Sequence, residues 1–530
     1  MIKLTIDHQP VEAQEGTSVM EAASMLGITI PSMCYMQGYS NHPSCMVCLV
    51  KDLDRDSLFP SCAMPVSEGM NILTVSAEVE EARREALELL LSDHRGDCEA
   101  PCRLSCPAFM DIPLMNRLIA AGDFDQAIRV VKEEIALPLV LGFICPAPCE
   151  KACKRKPMDQ AVSICLLKRS AAIYGTSTNT VKPWLPNTGS KKVAIIGTGP
   201  AGLSAAFYLL RAGYACVLYD QHEKAGGAMR YEIPDDHLPK EMLDTEIGEI
   251  VRMGAEFRMG NPVTRESFQQ AILPDFDAII LAAGARKPDT AGIFGLEPDE
   301  HGAFFNKSNF STSIPGVFGC GNILREQRMA VHSAAQGKMA AKHVEDYLEG
   351  GISIEHKEFR HTVVSVTGTL QKSEWNEYLK ESIPEQRVEP IDGILKGLSA
   401  DEAILEAKRC LHCDCRKPSS CKLRDYAVTY GAHRKRFAGP EQNLVTKSVQ
   451  HDAIVYETEK CIRCGLCVDI TVKHGESFGL AFAGRGFDVR ISVPFNETIR
   501  EALTFTAGEC VKACPTGALA FKNQEERIPE

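Results

Sequence analysis

The cysteines are the residues whose type and spacing indicate chemistry most directly. The 530-residue chain contains 22 of them, and all but Cys216, Cys320 and Cys510 lie in closely spaced groups. In a long chain, grouped cysteines indicate metal sites rather than the disulfides of a small secreted protein. Thiolates at such spacings hold zinc ions or iron–sulfur clusters. The sequence therefore predicts several metal centres, and Cys216, which lies on an apolar run, is predicted to be a core residue.

The first group lies within residues 1–78 and has the spacing of a [2Fe–2S] site. Its members are Cys34, Cys45, Cys48 and Cys62. Four thiolates on one long loop with a central CxxC suit such a cluster, whereas zinc sites usually pair two CxxC motifs. The spacing resembles the ferredoxin-like, β-grasp domain of the large iron–sulfur subunit of respiratory complex I and of iron-only hydrogenases. A hairpin over KLTID and VEAQ and a helix over Ser18–Met25 are predicted to support it.

The second group lies within residues 79–185, after a predicted amphipathic helix over Glu78–Asp93. Its candidate ligands are His94, Cys98, Cys102, Cys106, Cys145, Cys149, Cys153 and Cys165. The stretch from CPAFMDIP to CEKAC resembles the helical, cluster-bearing domain of the glutamate synthase small subunit and of dihydropyrimidine dehydrogenase. That resemblance implies two [4Fe–4S] clusters with interleaved ligands. One would use Cys98, Cys102 and Cys153, and the other Cys106, Cys145 and Cys149.

This domain departs from the family pattern at two ligand positions. The family's first cysteine is absent, and the stretch near its last ligand reads AVSICLLKR. His94 and Cys165 are the available replacements. The spacing of His94 from Cys98 is also similar to that of the histidine-ligated cluster in the complex I subunit. The alternatives are that His94 is a polar surface residue and that Cys165 is a packed core thiol.

A third group lies within residues 401–440 and follows a predicted helix over Ser399–Lys408, with Ser399 as its N-cap. Its members are Cys410, Cys413, Cys415 and Cys421. The motif RCLHCDC resembles the cysteine motif of the glutamate synthase group, displaced to the other end of the chain. Because CxxC is also the usual half-site for zinc, a [4Fe–4S] cluster and a zinc ion both remain open here.

The last group lies within residues 441–530 and resembles a bacterial-type ferredoxin domain that has lost one of its two clusters. In the full pattern, the fourth cysteine of each run binds the other cluster. Here Thr471, Thr504 and Ala507 occupy three of the ligand positions. The remaining [4Fe–4S] cluster is predicted to use Cys461, Cys464, Cys467 and Cys514. Cys510 is then left as a packed thiol.

A dinucleotide-binding turn lies in the stretch Val193–Asp220. An apolar strand, a GxGxxG turn and a helix follow one another there, and the turn contains Gly197, Gly199, Pro200, Ala201 and Gly202. The first glycine allows the tight turn, the second lets a pyrophosphate approach, and the third lets the helix pack closely on the strand. The helix N-terminus offers N–H groups to the phosphates. Asp220, which ends the second strand, is predicted to accept hydrogen bonds from a ribose.

Three further stretches resemble the flavin-contacting motifs of the glutamate synthase group. AGGAMRYEIPDDHLPK, LAAGA and GVFGCGN contain the matching positions Gly227, Arg230, Ala283, Gly284, Gly321 and Asn322. The resemblance implies that FAD occupies the turn. The family has Gly-Asp at the last motif, so the neutral Asn322 changes the charge beside the cofactor.

One part of the family pattern is missing. In the family, a second Rossmann domain that binds NAD(P)H interrupts the flavin domain. Here LAAGA leads almost at once to GVFGCGN, and the chain contains no second GxGxxG. The sequence therefore predicts a flavin domain from which the nicotinamide domain has been deleted.

These elements predict a multidomain α/β and α+β protein. Its parts are a β-grasp [2Fe–2S] domain, a helical two-cluster domain, a Rossmann-like FAD domain without an inserted NAD(P) domain, a connecting segment with a strand over HTVVSVTGT, a four-cysteine motif and a C-terminal ferredoxin-like domain. The predicted boundaries are 1–78, 79–185, 186–350, 351–400, 401–440 and 441–530, with a linker over residues 181–190.

Composition narrows the range of functions. The formal net charge of −12 argues against nucleic acid and anionic membrane surfaces as partners. The longest apolar run, Ile135–Cys145, is short and contains Pro138, so no membrane span is expected. With no apolar signal region at its start, the chain is predicted to be cytoplasmic.

Four or five metal centres around one flavin indicate an oxidoreductase subunit that relays electrons. FAD, one [2Fe–2S] cluster and three or four [4Fe–4S] clusters are the expected cofactors. The expected partners are other redox subunits, such as a hydrogenase, a formate dehydrogenase or an NADH-oxidising flavin subunit, or ferredoxin. Flavin-based electron bifurcation is left open, and no catalytic residue is assigned. The alternatives are a stand-alone NAD(P)H oxidoreductase with an unrecognised nucleotide site, and a structural subunit with a vestigial flavin fold.

Overall fold

The computed structural model describes residues 1–176, 191–285, 290–326, 328–350, 375–437 and 446–522. The chain divides into two compact units. The first unit consists of Met1–Ala100, Glu358–Ser382 and Leu411–Glu525, and the second of Pro101–Lys357, Ile383–Cys410 and Glu526–Glu530. Each unit thus joins segments that are far apart in sequence. A compact unit of this kind can hold several domains, so the boundaries given above remain predictions.

Residues 1–100 form a mixed sheet, a helix packed on it and a long second helix. The elements are β1 (Ile2–Ile6), β2 (Gln9–Ala13), α1 (Val19–Met25), β3 (Leu49–Asp52), β4 (Ser57–Pro60), β5 (Asn71–Leu73) and α2 (Ala77–Asp93). The strand order is β2-β1-β5-β3-β4. The predicted hairpin is the antiparallel pair β1–β2, and β1 pairs in parallel with β5. α1 lies within the predicted helix Ser18–Met25, and Ser18 caps it through a capping box with Glu21.

The second unit begins with a set of short helices. They are α3 (Pro101–Ser105), α4 (Ile112–Ala120), α5 (Phe124–Glu134), α6 (Pro138–Ile144), α7 (Pro148–Lys151) and α8 (Ile164–Tyr174). α6 packs on α8, α4 on α5, and α3 on α7. Asp111 and Asp123 accept hydrogen bonds at the N-termini of α4 and α5, which fixes where those helices begin.

A parallel sheet follows in the same unit. Its region contains β6 (Lys192–Ile196), α9 (Pro200–Arg211), β7 (Ala215–Tyr219), α10 (Ala228–Tyr231), α11 (Lys240–Arg252), β8 (Glu256–Arg258), α12 (Arg265–Ser267), α13 (Leu273–Asp275), β9 (Ala278–Leu281), α14 (Thr290–Phe294), β10 (Val317–Gly319) and α15 (Ala330–Leu348). A π-helical turn over Phe268–Ile272 joins α12 to α13. The strand order β10-β9-β6-β7-β8 is parallel throughout. β6 therefore lies in the middle, with helix α9 directly after it, as a dinucleotide-binding fold requires.

The rest of the chain is built from short elements. They are α16 (Trp375–Leu379), α17 (Ala400–Ala407), α18 (Lys422–Thr429), β11 (Lys447–Ser448), β12 (Ile454–Glu457), α19 (Leu466–His474), β13 (Ala481–Ala483), β14 (Arg490–Ser492), α20 (Ile499–Ala502), α21 (Ala507–Ala513) and β15 (Leu519–Phe521). β11, β12 and β15 form an antiparallel sheet, and β13 and β14 form a hairpin.

The predicted helices agree closely with the structure. Helix α2 begins at Ala77, and Ser399 caps α17 as predicted. The prediction of a mixed α/β protein with a parallel sheet is confirmed. The predicted linker 181–190 and the predicted strand HTVVSVTGT lie outside the described residues. No helix among the described residues is both long and apolar enough to cross a membrane.

Candidate functional site

The four N-terminal cysteines lie together in the first unit. All four are buried, and the Cys34 and Cys45 sulfurs are 3.4 Å apart. Hydrogen bonds from Cys45 and Cys62 hold the pKa of Cys34 well below its usual range, and a hydrogen bond from Cys62 lowers the pKa of Cys48 to about 7. Cys45 and Cys48 lie on the loop before β3, and Cys62 lies two residues after β4. This buried set of thiols that contact one another fits a [2Fe–2S] cluster.

No three or more His, Cys, Asp or Glu side chains in the described ranges are arranged around the position of a single metal ion. A [2Fe–2S] or [4Fe–4S] cluster has different requirements, because its thiolates bind different iron atoms. The fit of each cysteine group is therefore judged from burial and from contacts within the group.

The second unit places four cysteines around one cavity. They are Cys106, Cys145, Cys149 and Cys165, and Lys168 lines the same cavity. A hydrogen bond from Cys165 lowers the pKa of Cys145 to about 6, whereas burial raises the pKa of Cys149 to about 12. Burial by itself would lower the pKa of Lys168, but the sulfurs of the four cysteines together outweigh it and raise that pKa. The structure thus groups Cys165, one of the two predicted replacement ligands, with the trio of Cys106, Cys145 and Cys149, and this four-thiol set fits a [4Fe–4S] cluster.

Lys168 is a residue at this site that the sequence analysis did not single out. The available signal was its spacing, because residues three apart on a helix lie on the same face, and Lys168 follows Cys165 on α8. Cys102 and Cys153 belong to the same unit. Cys102 lies on α3 and Cys153 follows α7, the helix on which α3 packs.

Cys98 has neighbours that the sequence did not indicate. The backbone N–H of Cys415 donates to the Cys98 carbonyl at 3.3 Å. Burial raises the pKa of the Cys98 thiol, and the sulfurs of Cys415 and Cys421 raise it further. All three belong to the first unit, whereas Cys102, which was predicted to share a cluster with Cys98, belongs to the second. Cys415 and Cys421 lie more than 300 positions after Cys98 in sequence, so only folding could bring them to it.

The two remaining cysteines of the RCLHCDC motif fall in different units. Cys410 follows α17 in the second unit, and Cys413 lies beside Tyr378 in the first. The assignment of this motif to a cluster or to zinc stays a prediction.

His94 follows directly after α2 and is partly buried. Its Nδ1 atom is shielded from solvent and has no hydrogen-bond partner among the described residues. Burial lowers the pKa of His94 to about 4, and the charges of Lys460 and Arg434 act in the same direction. A neutral imidazole with one unpartnered ring nitrogen is able to bind a metal. Its place on the wall of a cavity with Cys45 and Cys461 differs from that of a simple surface histidine. Ligation by His94 remains a prediction.

The C-terminal group is also assembled in the first unit. Cys461 and Cys464 precede α19 and Cys467 lies in its first turn. Cys514 follows α21. Burial raises the pKa of Cys461 to about 11, and the Cys514 sulfur adds to that shift. Cys510 is buried in the apolar core behind them, and its sulfur contacts the Cys467 carbonyl at 3.9 Å. Of the four predicted ligands, Cys464 is buried and the other three are half-buried, and together they form a group that fits a [4Fe–4S] cluster.

The glycine-rich turn between β6 and α9 has the geometry that phosphate binding requires. A Cβ at Gly202 would lie 1.9 Å from the Gly197 carbonyl oxygen, so glycine is needed there for helix and strand to pack. A Cβ at Gly199 would meet no protein atom within 4 Å. Gly199 precedes α9, and Pro200 begins it. The open space over Gly199 and the helix N-terminus behind it fit a pyrophosphate group.

Asp220 holds this turn through hydrogen bonds within the protein. One carboxylate oxygen accepts from the backbone N–H and the hydroxyl of Thr198, at 2.9 and 2.7 Å. The other accepts the backbone N–H of His222 at 3.0 Å and lies 2.8 Å from its Nδ1. The predicted ribose contact of Asp220 therefore stays a prediction, and its observed contacts position the turn.

The other predicted flavin contacts surround the same turn. Gly226 donates its N–H to the Thr198 carbonyl at 3.0 Å, which places the neighbouring Gly227 against Gly199. Arg230 instead pairs with Asp244 and donates to the Ala225 carbonyl. Ala283 and Gly284 are exposed at the carboxyl end of β9. In the short turn after β10, Gly321 is buried and Asn322 is half-buried.

Comparison with protein-family models supports these assignments for parts of the chain. Residues 1–77 match the 2Fe-2S iron–sulfur cluster binding domain. Residues 73–180 match the dihydropyrimidine dehydrogenase domain II, 4Fe-4S cluster model. Residues 195–247 match an NAD(P)-binding Rossmann-like domain.

Curated proteins of known function match the chain in part. The chain is 38% identical over 203 residues to the NADPH-Fe(3+) oxidoreductase subunit beta of Geobacter sulfurreducens. The match covers 37% of this chain and 30% of that protein. It is 32% identical over 268 residues to the NADP(+)-dependent formate dehydrogenase subunit beta of Moorella thermoacetica, with 46% and 35% covered.

The glutamate synthase [NADPH] small chain of Bacillus subtilis is 34% identical over 184 residues, with 34% of this chain and 37% of that protein covered. The chain therefore spans about a third of the length of these relatives. Part of the chain is thus similar to oxidoreductase subunits such as the glutamate synthase small chain, and two of its segments match family models of 2Fe-2S and 4Fe-4S cluster domains.

Proposed function

We propose that this chain is an FAD- and iron–sulfur-containing subunit of a multi-subunit oxidoreductase and that it relays electrons between partner redox subunits. The observation that carries the proposal is a shared apolar core in the first unit. Cysteines from three sequence-distant groups contribute to it, namely Cys34, Cys45, Cys421 and Cys464. Candidate ligands of three metal centres are thus packed together and shielded from water, as a relay between centres requires.

The residues of the chain have distinct tasks in this proposal. When bound, the clusters supply one-electron chemistry and FAD supplies one- or two-electron chemistry. The buried cysteine groups hold the clusters and exclude water from them. The turn from Gly197 to Gly202 and the N-terminus of α9 hold the pyrophosphate of FAD. The names of the relatives support a partner such as a formate dehydrogenase or another redox subunit, and the cytoplasmic location stays a prediction.

The returning strand supports the absence of a nicotinamide domain. β9 ends at Leu281, and β10, which begins at Val317, pairs directly with it in parallel. The described residues between β9 and β10 contain one helix, α14, and no further strand of the sheet. A βαβ nucleotide domain requires several strands with crossover helices. The alternative, a direct reaction with NAD(P)H, is favoured by the name of the Rossmann-like family model.

Cofactor content tests the proposal. Protein purified without oxygen should contain about one FAD and about 18 iron atoms per chain, or about 14 iron atoms and one zinc if Cys410–Cys421 binds zinc. Metal analysis and the flavin absorbance of the released cofactor measure both quantities. A preparation with fewer than about eight iron atoms per chain would contradict the multi-cluster assignment.

The C-terminal cluster assignment has a matched pair of variants. Cys514→Ser should remove about four iron atoms per chain, because a serine oxygen replaces one of four thiolate ligands. Cys510→Ser should keep the iron, because the Cys510 sulfur lies in the apolar core and contacts the Cys467 carbonyl and the Thr506 hydroxyl. Iron analysis and EPR spectra of the reduced proteins measure the difference. Equal iron loss in both variants would refute this ligand assignment.

A further inference from the structure

A buried lysine faces the four-cysteine cavity of the second unit. Lys168 follows Cys165 by three residues on α8, so both side chains project from the same face. It is only 4% exposed, and it lines the cavity together with the four cysteines. Its ammonium group donates to the Leu141 carbonyl at 3.1 Å, which fixes the end of the side chain near that wall.

Three other buried lysines of the described structure form ion pairs with carboxylates. Lys132 pairs with Glu249, and Lys447 and Lys460 both pair with Glu457. Lys168 forms no ion pair with a carboxylate among the described residues. Lys417, in the first unit, likewise donates to carbonyl groups, including that of Cys514.

A buried ammonium group is costly unless an opposite charge lies nearby. Apart from Lys168, the residues that line its cavity are the four cysteines and apolar side chains. Glu150 lies close to the site, but its carboxylate accepts the Cys165 N–H at 2.9 Å and pairs with Arg387 at 3.3 Å. The four cysteine sulfurs are therefore the negative charges available to balance Lys168, and they carry such charge when they bind iron.

We propose that Lys168 is a positioning residue whose fixed positive charge faces the [4Fe–4S] cluster of Cys106, Cys145, Cys149 and Cys165 and raises its reduction potential. This inference rests on the proposed function. Reduction adds one electron and one negative charge to the centre, so a nearby cation stabilises the reduced form relative to the oxidised form. No proton transfer is needed, because the ammonium group keeps its charge in both states.

The test is a redox titration of the full chain, purified without oxygen and reduced stepwise with dithionite, with EPR detection. Cys165→Ser identifies which signal belongs to this cluster. Lys168→Met removes the charge and keeps the length of the side chain, and Lys168→Arg keeps the charge. Lys151→Met is the matched control, since Lys151 is an exposed residue on α7, near Cys149 in sequence. Circular dichroism and iron analysis check the fold and the cluster content of each protein.

At the wild-type midpoint potential, we expect the ratio of reduced to oxidised cluster to fall about tenfold in Lys168→Met, which corresponds to about 59 mV for one electron. In Lys168→Arg and Lys151→Met, the same ratio should stay within about threefold of the wild-type value. An unchanged ratio in Lys168→Met with its iron intact would overturn the inference and leave the cluster assignment standing.

Two further outcomes are also decisive. If Lys168→Met loses the cluster, Lys168→Arg decides the matter. An unchanged ratio of reduced to oxidised cluster in Lys168→Arg then supports the role of the charge. A tenfold change of that ratio refutes it. A wild-type chain without an EPR signal that depends on Cys165 would instead refute the cluster assignment on which the inference rests.

Discussion

Mixed with NADH or NADPH in the absence of a partner, the purified chain should not bleach its flavin at a catalytic rate. Hydride transfer requires the nicotinamide ring to lie on the flavin, and a separate nucleotide fold normally holds it there. The one glycine-rich turn of this type lies after β6, and FAD is expected to occupy it. β10 pairs directly with β9, and α14 is the only helix among the described residues between them.

Stopped-flow absorbance at the flavin band measures this outcome. Bleaching by either nicotinamide should be much slower than about 1 s⁻¹, the low end of typical enzyme turnover. Dithionite or reduced ferredoxin should bleach the same sample, which shows that its flavin is competent. Rapid bleaching by NADPH alone would favour the alternative of a stand-alone oxidoreductase, in line with the name of the family model that matches residues 195–247.

Replacing Gly199 by alanine should remove most of the FAD while leaving the fold and the iron intact. The added Cβ would meet no protein atom within 4 Å, and Gly199 has a φ of −75°, so alanine is tolerated by the protein itself. The methyl group would instead occupy the space that the pyrophosphate needs for its close approach to the backbone. We expect FAD affinity to fall by about tenfold or more, a change of about 1.4 kcal/mol or greater.

Two other glycines make this experiment specific. Gly248→Ala lies within helix α11 and should leave FAD affinity unchanged, since helices favour alanine over glycine. Gly202→Ala would bring a methyl group to 1.9 Å from the Gly197 carbonyl oxygen and should destabilise the flavin domain as well. Fluorescence titration of FAD with the apoprotein, together with thermal melting, separates the two effects. Normal FAD affinity in Gly199→Ala would contradict the assignment of the turn between β6 and α9 as the FAD site.

The sequence alone determined those features that depend on short-range spacing. The cysteine spacings near Cys45 and Cys461 and the GxGxxG turn at Gly197 are local patterns, and each predicts its own site because most of its ligands or glycines are close neighbours in sequence. Residues matched by the 2Fe-2S and 4Fe-4S family models include the first two predicted cysteine groups. The capped helices at Ser18 and Ser399 were predictable for the same reason, since a cap and its helix are neighbours in sequence.

Only the tertiary structure decided which distant segments share a site. It placed Cys98 against Cys415 and Cys421, and it placed Cys165, already a candidate ligand by sequence, in the group that contains Cys106. These groupings depend on how helices and loops pack, and sequence spacing carries no information about contacts between segments hundreds of residues apart. The position of the Lys168 charge beside the cysteines could not be predicted from the sequence for the same reason. A lysine in a sequence is expected at the surface, and Lys168 became a candidate determinant of a cluster's potential only when α8 was seen to bury it beside four sulfur atoms.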